Sequence, residues 1–468
     1  MPVDMLIDQS RKAPRIVSGT STTRYSWLVP FVILLCDALL LQAIVLFATW
    51  ARQEMADWLP IGVGPETYQG VHLAVLALPL IYLAGGLSPG YGCSAVDRLR
   101  RRVTLTAAYF AAMLLFDHIA QGGQWSRGIM LIASAIAIIA MPLADALMRA
   151  LFIRWNMWGM PIAVLGPAPA RERLIAILGA HRDLGWIPAV EGEVTSAPPA
   201  PRLGIKLALL AADNIGSLAQ ADQLPYRKVV LASGLGDMQS QWVAARDLGG
   251  QLGLEMRRNL LLPWNRLFKR SMDLLLGGLL LLPAIMICLP FVLIVQFFSP
   301  GPVFYSQPRR GLGNRPFPVL KLRSMYPDAD RRLQTLLDSS AAARAEWEAA
   351  MKLRHDPRLI PVVAHIMRRL SIDELPQLLN VMRGEMSLVG PRPLPDYHLR
   401  ALSEAACAMR AKVLPGITGL WQVSGRSSLP LPEMERLDSY YVRNWSIWLD
   451  IHILARTLVE VLRGRGAW

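Results

Sequence analysis

Two adjacent carboxylates, Asp373 and Glu374, are followed eighteen residues after the second by an arginine clamped between prolines, Pro391-Arg392-Pro393. A carboxylate can attack an electrophile or hold a hard cation, and a guanidinium neutralises phosphate oxygens through paired hydrogen bonds. Four further segments, 307–311, 321–325, 352–358 and 415–426, alternate glycine or proline turns with arginine and lysine. Such segments suit a diphosphate: small residues let the backbone approach and the cations balance its charge. A purely structural reading competes at the acid pair. Ser371 and Glu374 fit a capping box, and an acid in a first helical turn complements the helix dipole.

The elements that must position these groups belong to a chain of 468 residues, long enough for two or three domains. Its hydrophobic fraction is 53%, yet 49 Lys and Arg exceed 35 Asp and Glu. That much apolar content indicates a membrane protein, and the excess base faces an anionic leaflet or an anionic substrate. Nucleic acid is not an expected partner, because no recognition motif or aromatic–basic repeat is present. Cys36, Cys93, Cys288 and Cys407 form no C-x-x-C pair, which argues against a disulfide framework or zinc site. No small-residue cleavage site follows the first apolar run, so no removable signal peptide is read.

A basic tail over 1–25 precedes a four-helix transmembrane region over 26–154, with apolar stretches at 27–50, 71–87, 103–120 and 128–153. Arg98, Arg100, Arg101 and Arg102 crowd the expected loop between the second and third spans, whereas the other loops carry only Arg52 and Arg127. Positive-inside counting places the tail, that loop and the chain after residue 153 in the cytoplasm. Residues 155–262 read as a small Rossmann-like α/β module, with strands at 162–166, 206–211 and 228–232 and a helix at 171–178. Its first turn, Gly166 followed by Pro167 and Pro169, lacks the G-x-G-x-x-G phosphate cradle.

Lys269, Arg270 and Asp273 then lead into an apolar run over 274–298. Both flanks are basic, since Arg309, Arg310, Arg315, Lys321 and Arg323 follow. Both ends are therefore expected in the cytoplasm, with Pro283 breaking a re-entrant helical hairpin over 263–300. A straight fifth span is the alternative. Lys269, Arg270 and Asp273 are expected as hairpin anchors, with 269 and 273 an i,i+4 pair. Residues 301–468 form a last, mostly α domain: a short strand at 303–305, a Gly-, Pro- and Arg-rich loop at 307–323, and an amphipathic helical stretch at 328–352.

Over 265–468 the chain resembles the bacterial sugar transferases, the monotopic polyprenyl-phosphate hexose-1-phosphate transferases. The shared marks are K-R-x-x-D at 269–273, G-P-V-F-Y-x-Q at 301–307, K-x-R-S-M at 321–325 and D-P-R at 356–358. They continue with S-I-D-E-L-P-Q-L-L-N-V at 371–381, M-S-L-V-G-P-R-P at 386–393, P-G-I-T-G-L-W-Q-V-S-G-R at 415–426 and W-S-I-W-L-D at 445–450. One departure is visible: Val362-Val363-Ala364-His365-Ile366-Met367 stands where a glycine turn is expected ahead of Arg368.

The resemblance implies transfer of a hexose-1-phosphate from a UDP-hexose, galactose or glucose, to undecaprenyl phosphate with release of UMP. It implies that Asp373 is the nucleophile and that Glu374 supports Mg2+. Residue chemistry agrees: an aspartate can form an acyl phosphate, a helix N-terminus would keep it ionised, and Mg2+ prefers one or two carboxylates plus substrate phosphates. Lys321, Arg323, Arg392 and Arg426 are candidates for phosphate charge, with Gln307 and Arg309 for the nucleotide. The expected setting is the cytoplasmic face of a bacterial inner membrane, among its lipids, as a homodimer. His355, His365 and His398 lack partners at metal-ligand spacing, and Trp421 and Trp445 are expected to pack. Two other readings remain: a non-catalytic scaffold of polysaccharide assembly, and a membrane-attached nucleotide-sugar-modifying enzyme.

Overall fold

Charged residues inside apolar stretches constrain the membrane region, because a buried charge must find its counter-charge. In the computed structural model, which describes residues 15–16, 28–55, 58, 69–120, 125–193, 205–212, 224, 226, 228–233, 243–247, 252–256, 260, 262–350, 353, 356–360, 363–425 and 429–463, the chain divides into two units, Met1–Asp237 and Met238–Trp468.

In the first unit a two-residue strand β1 (Arg15–Ile16) precedes helices α1 (Leu28–Glu54), α2 (Gln69–Ala74), α3 (Ala77–Ala84), α4 (Ala95–Ala120) and α5 (Arg127–Arg154). Helices α1, α4 and α5 are long and apolar enough to cross a membrane. The expected second span, 71–87, is instead the broken pair α2 and α3. Pro79 cannot donate to the carbonyl of Val75, and the bonding shifts there to a tighter turn, Leu78 N to Val75 O at 3.2 Å.

The expected Arg98–Arg102 loop is also corrected, since these residues form the first turns of α4. Arg102 is fully buried and donates to both oxygens of Asp37, at 3.0 and 3.1 Å, and lies 3.0 Å from Asp145. Asp145 also pairs with Arg149, one turn on. Helices α1, α4 and α5 are thus joined by one ion network, and Arg98 turns inward to the carbonyl of Gly90 at 3.0 Å.

The rest of this unit is an open sheet of β1, β2 (Met160–Leu165), β3 (Trp186–Gly192), β4 (Leu207–Ala212) and β5 (Lys228–Ser233), in the order β1-β3-β2-β4-β5. The last four are mutually parallel, and β1 adds to β3 antiparallel, Arg15 opposite Glu191. Strand β3 escaped the sequence reading, which found the other three parallel strands. Of the crossovers a Rossmann-like module needs, α6 (Ala168–Ala180) falls among the described residues. Gly166, with φ +134°, passes so close to the carbonyl of Ala211 that a Cβ would lie 2.2 Å from it.

The second unit opens with the hairpin β6 (Val243–Asp247) and β7 (Leu252–Met256), then α7 (Pro263–Phe298). Where a broken hairpin is expected over 263–300, the backbone forms one helix of 36 residues containing Pro283 and Pro290. Each proline removes a single donor, and the ladder resumes beyond it.

The antiparallel pair β8 (Phe304–Arg310) and β9 (Pro316–Leu322) replaces most of the loop expected over 307–323. Pro308 faces Pro318, which is possible where neither residue exchanges ladder bonds. Helices α8 (Ala329–Ser339), α9 (Ala341–Ala350) and α10 (Val363–Arg369) follow, the last formed by the residues that depart from the expected glycine turn. Then come α11 (Gln377–Arg383), β10 (Ser387–Val389), α12 (Asp396–Leu399), α13 (Glu404–Arg410), β11 (Gly416–Thr418), α14 (Leu420–Ser424), α15 (Leu431–Asn444) and α16 (Ile447–Arg463).

Both halves of α7 pack within this unit. Lys269 reaches Asp450 at 2.7 Å, Asp273 accepts from Leu388 N at 3.1 Å, and Arg270 donates to the carbonyls of Val381 and Met382. The expected i,i+4 pair is therefore not the contact made: Lys269 and Asp273 each reach a different distant element, since burial draws the lysine to Asp450. Farther along α7, Cys288, Phe291, Val292 and Val295 join a core of Leu322, Ile360, Val363, Ala364, Met367 and Ile372. Its other face leaves Leu275, Leu279, Leu282 and Met286 exposed.

Candidate active site

The acid pair sits in a single 3-10 turn, Ile372–Glu374, entered through Ser371 in the left-handed region at φ 56°. Ser371 makes no side-chain cap, so the capping-box reading of Glu374 does not hold. The Glu374 carboxylate instead gathers cations from two other elements. Oε1 accepts from Lys321 Nζ on β9 at 2.8 Å and from Arg392 Nη2 at 2.6 Å, while Oε2 accepts from Arg392 Nη1 at 3.3 Å.

The loop carrying Arg392 is held by parallel pairing of β10 with β11, Ser387 opposite Gly416 and Val389 opposite Thr418. Gly390 N donates to Thr418 O at 2.9 Å and Gly416 N to Pro391 O at 3.0 Å. A Cβ on Gly416 would lie 2.0 Å from Gly390 N, so this crossing admits glycine alone.

Asp373 is 8% exposed and, among the described residues, has no hydrogen-bond or ion-pair partner. Burial pushes its carboxyl above the ordinary range; Lys321, Arg368 and Arg392 oppose the rise and Glu374 adds to it. The expected lowering at a helix N-terminus is not what the site shows: the residue sits in a short 3-10 turn, and burial raises its carboxyl. For Glu374 burial acts the same way, but Arg392 and Lys321 outweigh it and hold the carboxyl well below the usual range. Two adjacent acids are thus pushed apart, one held firmly as an anion by bound cations and one left with free lone pairs.

A cavity of about 480 Å³ adjoins these cations. Arg309, Lys321 and Arg392 supply its positive charge, Tyr397, His398 and Trp421 its rings, and Leu394, Leu429, Leu431 and Met434 its apolar wall. Strand alternation explains Arg309: it shares a face of β8 with Gln307, whose Oε1 accepts from Arg309 Nη2 at 2.6 Å.

The stretch from 264 to 464 matches the family model described as bacterial sugar transferase. The exopolysaccharide production protein ExoY of Sinorhizobium fredii is 40% identical over 206 residues, 44% of this chain and 90% of that protein. The chain belongs to the bacterial sugar transferase family. Other similar proteins are an uncharacterised sugar transferase of Haemophilus influenzae (43% identical; 46% of this chain, 45% of that protein) and the undecaprenyl-phosphate galactose phosphotransferase of Salmonella typhimurium (41% identical; 46% and 44%). The match spans less than half the length of these last two relatives.

Within this family member, the candidates Asp373, Glu374, Lys321, Arg392 and Arg309 converge on the dyad or its cavity, and Gln307 reaches it only through its contact with Arg309. Arg323 does not. Strand β9 ends at Leu322, and the Arg323 guanidinium is buried against Gly301 and donates to the carbonyl of Ser299 at the end of α7. Arg426 lies outside the described residues. Trp421, expected only to pack, lines the cavity, as does His398; Trp445 packs as expected, donating to Asp450 at 3.0 Å. Arg368, five residues ahead of Asp373, went unassigned: it donates to Ser324 Oγ at 3.2 Å, and its charge acts on Asp373. Its spacing from the acid was the only signal available. Arg410 and Asp438 had none.

For Mg2+, Glu374 offers hard oxygen donors of the kind that ion accepts alongside phosphate oxygens, and an ion held there would share the carboxylate with Lys321 and Arg392, which already meet both of its oxygens. Among the described residues no group of three or more His, Cys, Asp or Glu is gathered to hold it without a substrate.

Proposed function

We propose that this chain transfers hexose-1-phosphate from a UDP-hexose to undecaprenyl phosphate, releasing UMP, at the cytoplasmic face of a bacterial inner membrane. The observation that carries this reading is the buried Asp373, without a partner among the described residues, beside a Glu374 gripped by Lys321 and Arg392 next to a cavity joining cations to rings and apolar groups. The name of the Salmonella relative supports the substrate class. Galactose and glucose both suit a site whose charged groups address phosphates.

In the first half-reaction an Asp373 oxygen bonds to the phosphorus that bears the hexose, and the bond from that phosphorus to the UMP oxygen breaks. Lys321, Arg309 and Arg392 neutralise the charge moving onto the leaving phosphate. In the second, a phosphate oxygen of the lipid bonds to the same phosphorus and the Asp373 oxygen leaves, restoring the carboxylate. When bound by Glu374, Mg2+ would add electrostatic stabilisation at the phosphates.

The reading also places α7 as a shallow membrane insertion. Although the whole helix is long and apolar enough to cross a membrane, Gly277 packs on Val381 and Cys288 packs in the core beside Leu322; these positions are eleven apart, about 17 Å along the helix, so both halves are tied to the catalytic unit. The lipid head group and the soluble nucleotide would then meet at the interface. A homodimer is part of the same proposal, tested by cross-linking in membranes.

The deciding experiment incubates membranes with a panel of UDP-sugars, with and without undecaprenyl phosphate. UMP release that depends on one sugar nucleotide, and an adduct of hexose phosphate mass on residue 373 when lipid is withheld, are expected. No UMP from any UDP-sugar would favour a scaffold role instead.

A further inference from the structure

The loop that presents Arg392 is short of donors. Pro391 and Pro393 have no N–H, so its backbone is anchored chiefly through carbonyls. Pro391 O accepts from Gly416 N at 3.0 Å. Arg392 O accepts from one arm of the Arg410 guanidinium, at the last residue of α13.

The other arm of Arg410 forms an ion pair with Asp438 on α15, the two side chains being 9% and 5% exposed. Helices α13 and α15 are tied again at their other contact, where Glu435 accepts from Ser403 N and Oγ, both at 2.8 Å. An unbroken chain of polar contacts therefore runs from Asp438 through Arg410 to the backbone of residue 392, whose guanidinium meets Glu374.

We infer that Arg410 and Asp438 are positioning residues for the transfer: Arg410 fixes the peptide from which Arg392 reaches Glu374, and Asp438 fixes Arg410. This rests on the phosphoglycosyl-transfer reading. Arginine is needed because its fork can meet a carboxylate and a carbonyl in fixed directions together, whereas a lysine ammonium is a compact point charge. A displacement of about 1 Å in a charge-holding group can cost about 100-fold in rate.

The test uses the full-length protein in detergent or nanodiscs, with undecaprenyl phosphate and whichever of UDP-galactose and UDP-glucose the wild type consumes. Arg410→Lys should lower kcat by roughly 10- to 100-fold. Its KM for the lipid acceptor should stay within about threefold, and near-wild-type thermal unfolding would separate this from loss of folded protein. Asp438→Asn, close to isosteric, should lower kcat in the same direction.

A double-mutant cycle isolates the route. In an Arg392→Lys background, Arg410→Lys should cost less than about threefold more, because the group it positions is already changed. The cycle is read both on turnover and on UDP affinity, so a background silent in one is scored in the other. A kcat for Arg410→Lys within twofold of wild type, or losses that multiply fully in the double variant, would overturn the proposal. A wild type that releases no UMP from either sugar nucleotide would sink the transferase reading itself, and this inference with it.

Discussion

Replacing Glu374 by glutamine changes almost nothing in shape and a great deal in charge. Three contacts converge on its carboxylate, from Lys321 at 2.8 Å and from Arg392 at 2.6 and 3.3 Å. An amide keeps one acceptor oxygen and turns the other position into a donor, which must face a second donor. Hydrogen bonds to charged groups contribute about 1.5–3 kcal/mol each. Losing one and weakening two should remove about 3–4 kcal/mol of organisation, or about 10²- to 10³-fold in turnover.

Glu374 raises the Asp373 carboxyl, while Lys321 and Arg392 lower it. Neutralising Glu374 removes the first influence and frees the other two, so the Asp373 pKa should fall. Any remaining activity should therefore show its acid limb at lower pH than wild type. Initial-rate UMP release between pH 4 and 9 measures both effects. A variant retaining above about a tenth of the wild-type rate, roughly 1.4 kcal/mol, or an acid limb displaced upward, would refute the reasoning.

Asp373→Asn should accumulate in membranes at wild-type levels yet form no covalent adduct by intact mass with UDP-sugar alone. Lys269→Met should leave Asp450, which is 0% exposed, without its cation and cost about 3–5 kcal/mol; denaturation showing under 1 kcal/mol would deny that α7 is anchored there. Burial, opposed by Arg410, raises the Asp438 carboxyl to about 6, so relative to the unfolded chain the fold favours the protonated form below that value, while above it the anion pairs with Arg410. That stabilisation is complete below the unfolded value and is lost as pH rises through about 6, a change of roughly 3 kcal/mol; Asp438→Asn should flatten thermal midpoint against pH across that window. Single cysteines at Trp264, in the first turn of α7, and Leu312, beyond its end, both exposed, should react with an impermeant maleimide from the cytoplasmic side alone; labelling of position 312 from outside would establish a crossing.

Side-chain chemistry was legible in the sequence wherever it was local. Asp373 and Glu374 announce themselves by adjacency, Arg392 by its prolines, and Lys321 by its basic motif. The secondary structure around them was less so. Pro308, Pro316 and Pro318 argue for a loop, yet an isolated two-strand pair has outward-facing positions where a missing N–H costs nothing. Arginines at 98–102 look like a cytoplasmic loop because periodicity does not reveal that Asp37 and Asp145, far along the chain, supply the counter-charge of Arg102. Arg410 and Asp438 failed to register for the same reason. Pairs made across 28 residues or more carry no signature in spacing.

The ion network of Asp37, Arg102, Asp145 and Arg149 also bears on biogenesis. A lone helix carrying one of these charges into hydrocarbon would be penalised by about 2.5–3.5 kcal/mol on insertion scales. Release of Leu28–Glu54 from the translocation machinery is therefore best deferred until Arg127–Arg154 has been synthesised and the opposite charges can enter together. Deleting α4 from between those helices would leave Asp37 and Asp145 without the Arg102 cation that joins them.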